Sequence, residues 1–159
     1  MKSRKKYTIE EIITKIKAYC SNKEVCKKDV RQKLTSWDVK ETDTEKIISN
    51  LISEGFIDEK RYAKAFVHDK FYLNKWGKNK IKYSLLSKGI KTDLINDAID
   101  IIDDDEYIKV MEDLMVKKLL YVKEKDRYHL KAKLLSFISN RGFETDIAID
   151  VIDKILKSN

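Results

Sequence analysis

Three features of this 159-residue chain predict an all-α fold made of three tandem three-helix repeats. First, there is no proline, there are only four glycines, and 38% of the residues are charged. That composition favours helix almost everywhere. Second, apolar residues recur at spacings of three and four rather than alternating. Third, Lys88-Gly89-Ile90-Lys91-Thr92-Asp93-Leu94 returns 53 residues later as Arg141-Gly142-Phe143-Glu144-Thr145-Asp146-Ile147. A fainter copy centres on Asp38-Val39. It aligns Leu34 with Leu85 and Ile138, and Asp38 with the two glycines. A period near 50 residues marks stacked helical units that cannot bury a full core alone, which favours an extended binding surface over a cleft.

Each element follows from local signals. Residues 1–7 form a basic arm, and repeats are expected over 8–56, 57–103 and 104–159. Thr8-x-x-Glu11 is a capping-box pattern. It opens a helix with Ile9, Ile12, Ile13 and Ile16 on one face. A second helix is expected from about Glu24 to Ser36, with Val25, Val30 and Leu34 inward. Thr42 or Thr44 caps a third, which Gly55 ends. Asp58 caps the fourth, carrying Tyr62, Ala63, Phe66 and Val67. After Trp76-Gly77, a short basic helix places Ile81 and Leu85 inward and stops at Gly89 in a left-handed cap. Thr92 caps the next. Asp103-Asp104-Asp105 opens the seventh, where acids suit the helix dipole. A basic helix ends at Arg141-Gly142, and Thr145 caps the last.

Charge is unevenly spread about a net of +7. Lys60 to Lys91 holds ten Lys or Arg against Asp69 alone. Thr92 to Glu106 holds seven acids and no base. Lys117 to Lys133 holds seven bases against Glu124 and Asp126. Basic segments of this kind suit phosphate backbones or acidic protein surfaces. Cys20 and Cys26 are too few for a disulfide framework or a zinc site and read as small buried hydrophobes. His68 and His129 lack partners at metal or triad spacing, and no phosphate-binding glycine loop occurs. The acids of 93–106 lack calcium-loop spacing. The expectation is a protein with no catalytic residue, no metal and no cofactor. There is no apolar run of membrane-spanning length, and no secretory pattern follows the basic amino end, so a cytoplasmic monomer is expected.

The middle unit resembles the bacterial RecX family. The resemblance is carried by Asp58-Glu59-Lys60-Arg61-Tyr62-Ala63, Phe66-Val67, Trp76-Gly77-Lys78 with Ile81, and Leu85-Leu86-Ser87-Lys88-Gly89-Ile90. Departures are Lys78, where that family often has proline, Asp38 in place of a glycine, and lysine instead of arginine at most basic positions. Lysine meets phosphate as a point charge rather than a bidentate fork. The resemblance implies a curved, elongated stack of three-helix repeats. It also implies a partner, the RecA protein and its RecA–DNA filament, whose ATPase, strand exchange and co-protease activity such proteins usually inhibit. DNA repair, recombination and the SOS response are the implied setting. The alternative is a stand-alone helical nucleic-acid binder acting on single- or double-stranded DNA through phosphate contacts.

Candidate contact residues are Lys75, Lys78, Lys80, Lys82 and Lys88, with Lys131 and Lys133 in the comparable place of the third repeat. Ile81 and Leu85 face inward, so the lysines between them are expected to face out. Asp58, Arg61, Tyr62, Phe66, Ile81, Leu85 and Gly89 read as structural: a cap, an ion-pairing arginine, core residues and a turn. Trp76 and Gly77 read as a packed aromatic lid and a turn glycine, against the alternative of an aromatic touching a partner or a base.

Overall fold

A computed structural model describes residues 6–157, so most of the basic arm at residues 1–7 lies outside the described residues. Every regular element among the described residues is helical. In order these are α1 (Ile9–Asn22), α2 (Lys27–Ser36), α3 (Glu41–Ser53), α4 (Glu59–His68) with a π-helical extension (Asp69–Leu73), α5 (Lys78–Ser87), α6 (Thr92–Ile99), α7 (Asp104–Leu119), α8 (Arg127–Asn140) and α9 (Thr145–Lys157).

The repeated phrase is one backbone device used three times. Asp38, Gly89 and Gly142 all have positive φ, at 59°, 78° and 94°. In each copy the next residue's N–H reaches back five positions: Val39 to the Leu34 carbonyl, Ile90 to Leu85 and Phe143 to Ile138, at 3.1, 3.1 and 3.3 Å. The left-handed residue itself bonds three positions back, to Thr35, Leu86 and Ser139. This is the Schellman pattern, which satisfies carbonyls left open at a helix end. It explains why Asp38 can stand for glycine, since Asp tolerates this backbone region better than most residues. Gly55 closes α3 in the same way.

The turn's fixed geometry also corrects the expected caps. The chain leaves each turn extended, and the helix starts immediately afterwards. Lys40 and Lys91 are therefore the N-caps of α3 and α6, without side-chain bonds. Thr92 and Thr145 are already helical, and Thr44 is buried inside α3. The second helix begins at Lys27 rather than Glu24, with Cys26 at its N-cap. Thr8, Asp58 and Asp103 do cap, each accepting the N–H three residues on.

The core falls into two bodies. One lies within α1–α3, around Ile16, Val25, Val30, Leu34 and Leu51. The other takes in Cys26 of the first unit and runs continuously through α4–α9, from Ala63, Phe71 and Ile81 to Met111, Leu134 and Phe143. Tilted ring contacts tie Tyr107 of the third unit to Phe71 of the second and to Phe143 of its own unit, with centroids 5.7 and 5.2 Å apart. The accessible surface is 10526 Å². A compact monomer of this mass would expose about 8,300 Å², so the helices form a stack with unusually large flanks.

Candidate functional site

The middle unit is built around Trp76. The π-helical extension widens the end of α4, and Lys75 turns the chain through φ 58°. Trp76 then packs edge-on against Phe66, with centroids 6.5 Å apart. Two ammonium groups cover its ring, Lys80 at 4.3 Å and Lys70 at 4.8 Å. Such cation–π contacts are worth about 0.5–1 kcal/mol at exposed sites. Here they hold two positive charges beside a half-buried indole. Lys75 and Lys80 are exposed and Lys82 is half-buried, and none of the three has an ion-pair partner among the described residues.

The other expected contact lysines are placed differently. Lys78 is drawn inward, its side chain only 18% exposed, 3.7 Å from Asp104 and 4.6 Å from the Tyr107 ring. The expectation that Lys78 faces out is thus replaced by a link between units. Lys88 closes the joint between the first two units, with Nζ 2.7 Å from Asp29 Oδ1. Lys131 pairs with Asp153 at 2.5 Å, while Lys133 is exposed on α8.

The two joints between units differ in chemistry. The first is polar. Arg61 Nε donates to Glu24 at 2.6 Å and its Nη2 to the Gly55 carbonyl, while Lys27 meets Glu59 and Lys28 reaches the Ser87 carbonyl. Tyr62, with Ala63, lies buried behind these ions. Burial pushes the Asp29 carboxyl up, but the Lys88 ammonium and the Cys26 thiol outweigh it, so the group titrates below the usual carboxylate range. A depressed carboxylate contributes stability that is fully present above its unfolded value, near pH 4, and is lost as pH falls through the lower folded value. Lys88→Ala should therefore lower stability by about 1 kcal/mol near neutral pH. The gap from the parent should narrow in urea melts as the pH falls from about 4 through the lower folded value.

The second joint is made of backbone. Gly77 N–H donates to the Arg141 carbonyl at 2.8 Å and Asn79 N–H to the Gly142 carbonyl at 2.9 Å. Lys78 N–H donates to the Tyr107 hydroxyl at 3.0 Å, and that hydroxyl donates to Glu144. Three N–H groups at the open start of α5, those of Gly77, Lys78 and Asn79, are thus satisfied by the third unit. Burial, then the bond to Glu144, pushes the Tyr107 phenol far above its ordinary range. Arg141 returns the contact, its Nη2 bonding the carbonyls of Asn74 and Lys75. Gly77 has an ordinary φ of −75°. Its glycine is demanded by closeness: a Cβ there would strike the backbone of Gly142 and Phe143, and one on Gly142 would strike Lys80.

The same middle unit matches a described family. Residues 58–99 fit the family model "RecX, second three-helix domain". Over 131 residues, 81% of this chain, it is 34% identical to the "Regulatory protein RecX" of Clostridium beijerinckii and 37% identical to that of Clostridium botulinum (strain Eklund 17B / Type B). The crystal structure of RecX from Lactobacillus salivarius superposes with a TM-score of 0.83 at 26% identity, covering 95% of this chain and 97% of that one. The chain belongs to the RecX family. It spans 61% of the length of the two clostridial RecX proteins.

Sequence reasoning missed the close approach at Gly77, inside the RecX signature, and the roles of Tyr107 and Arg141 beyond it. The only trace in the sequence is that the third unit writes Arg-Gly-Phe where the second writes Lys-Gly-Ile, a difference with no meaning until the two turns are seen to touch. Among the described residues no three His, Cys, Asp or Glu side chains gather as a metal site, and no helix is long and apolar enough to cross a membrane.

Proposed function

We propose that this chain is a non-enzymatic cytoplasmic regulator that binds RecA on DNA and lowers its ATPase, strand-exchange and co-protease activities. The observation that carries the reading is the likeness, over four-fifths of the chain, to proteins named as regulatory RecX. Its physical support is the positive charge of α5 and the turn before it: Lys75, Lys80 and Lys82 have no acidic partner among the described residues, and Lys80 lies over the Trp76 ring. The chain acts as three units, 8–56, 57–103 and 104–159, lodged along the filament groove. The charged face would meet DNA phosphates or acidic protein surface, blocking entry of a second strand. A second reading, a stand-alone nucleic-acid binder, draws on the same unpaired lysines.

Added to preformed RecA filaments on single-stranded DNA, the folded protein should reduce ATP hydrolysis at equal or lower molar ratio to RecA. Unchanged ATPase, strand exchange and filament lifetime would remove the first reading. DNA binding that persists without RecA or ATP would then favour the second.

A further inference from the structure

The third unit differs from the other two where its first and second helices meet. Four residues join α1 to α2 (23–26) and the α4 extension to α5 (74–77), whereas seven, 120–126, join α7 to α8. This longer loop throws Tyr121 into solvent, 81% exposed. Beside it lies a cleft of about 620 Å³ lined by Lys118, Tyr121, Lys123, Lys133, Phe137 and Asn140 among others.

No acid lines this cleft. The two acids of the loop are spent on its own backbone: Glu124 accepts the Asp126 N–H at 3.1 Å, and Asp126 caps α8 by accepting the His129 N–H at 3.2 Å. Lys118 sits 5.1 Å over the Phe137 ring, and Lys123 and Lys133 have no ion-pair partner among the described residues. The wall therefore combines a free aromatic face, a second ring and three cations.

That combination has a defined complement. An acidic peptide would satisfy the lysines but leave the Tyr121 face unused. A duplex would offer phosphates but keep its base faces stacked. A single strand offers both, because successive bases present free π-faces and the backbone supplies closely spaced phosphates. We propose that the cleft between the α7–α8 loop and α8 binds single-stranded nucleic acid, stacking a base on Tyr121 while Lys118, Lys123 and Lys133 hold the flanking phosphates. The site is remote in sequence from the Trp76 face and works without a recombinase. It deepens the nucleic-acid reading and does not depend on RecA binding.

The test is fluorescence anisotropy, with no RecA present, on labelled oligothymidylate of about 16 nucleotides. Tyr121→Phe should bind like the parent. Tyr121→Ala should bind about 5- to 150-fold more weakly, the range base–aromatic stacking supplies. An abasic strand of equal length should bind the parent as weakly as oligothymidylate binds Tyr121→Ala. The double variant Lys123→Ala/Lys133→Ala should flatten the log–log salt dependence by about 1.4 units. Melting curves confirm that each variant is folded. The proposal is overturned if Tyr121→Ala binds within about two-fold of the parent, if duplex DNA, poly-glutamate or the abasic strand competes as well as oligothymidylate, or if the parent does not bind. None of these results touches the ATPase test of RecA regulation, so the two readings fail separately.

Discussion

Gly77→Ala should lower the melting temperature by about 6–12 °C, and Gly89→Ala by much less. The two glycines look equivalent in sequence, since each borders the basic helix α5. Around Gly89 a Cβ would meet nothing within 4 Å, so its replacement carries only the strain of a positive φ, about 1 kcal/mol. Around Gly77 the added atom would overlap the Gly142 carbonyl carbon and the Phe143 nitrogen. Those are backbone atoms fixed by the turn and by the buried Phe143 ring, so no rotamer change relieves the clash. Separating α5 from the turn would also open the bonds from Gly77 and Asn79 to Arg141 and Gly142. A loss of about 3 kcal/mol is expected from overpacking with lost hydrogen bonds, and about 2–4 °C per kcal/mol converts it to the stated shift. Gly142→Ala should behave like Gly77→Ala, because its Cβ would meet Lys80, whose nitrogen would lie 2.7 Å away, at a φ of 94°. Equal melting points for the Gly77 and Gly89 variants would refute the interlock.

That contrast marks what the sequence could reveal. The left-handed turn at Gly89 was legible, and Gly142 and Asp38 could be aligned with it, because a helix end has a local signature: an apolar residue, a left-handed residue, another apolar residue, all within six positions. The nine α-helices among the described residues follow from the same short-range rules, and the Thr92 and Thr145 misplacements are shifts of one residue at a boundary where the turn outranks the cap. The interlock of Gly77 with Gly142 spans 65 residues of sequence and uses main-chain atoms, which carry no side-chain signal. Lys78 was misjudged for a related reason. Helical spacing says which face a residue occupies, but not that Asp104 and Tyr107 of the next unit wait on that face. The division of the core into one body in the first unit and a larger one that fuses the other two units and takes in Cys26 is likewise invisible in a pattern that treats the three repeats alike.

Replacing Lys75, Lys80 and Lys82 together by alanine should leave the fold nearly intact while weakening nucleic-acid or filament binding by more than about tenfold at physiological salt. Two of the three are exposed and none has an ion-pair partner among the described residues, so each substitution should change stability by about 0.5 kcal/mol or less. Lys80 alone gives up a cation–π contact with Trp76. Each phosphate neutralised by a lysine releases counterions, so three lost contacts should flatten the log–log salt dependence by about two to three units. Lys78→Ala is the internal control. Its ammonium is tied to Asp104 and the Tyr107 ring, so that variant should melt lower yet keep the parent's salt slope. Lys88→Ala should behave alike, because its charge is neutralised by Asp29 at the first joint. If Lys78→Ala flattens the slope as much per residue as the triple variant, the division into structural and contact lysines is wrong. If the triple variant keeps the parent's slope and affinity, these three lysines are not the contact surface, Lys80 serves only to cover the indole, and contact passes to the third unit through Lys133 and its cleft.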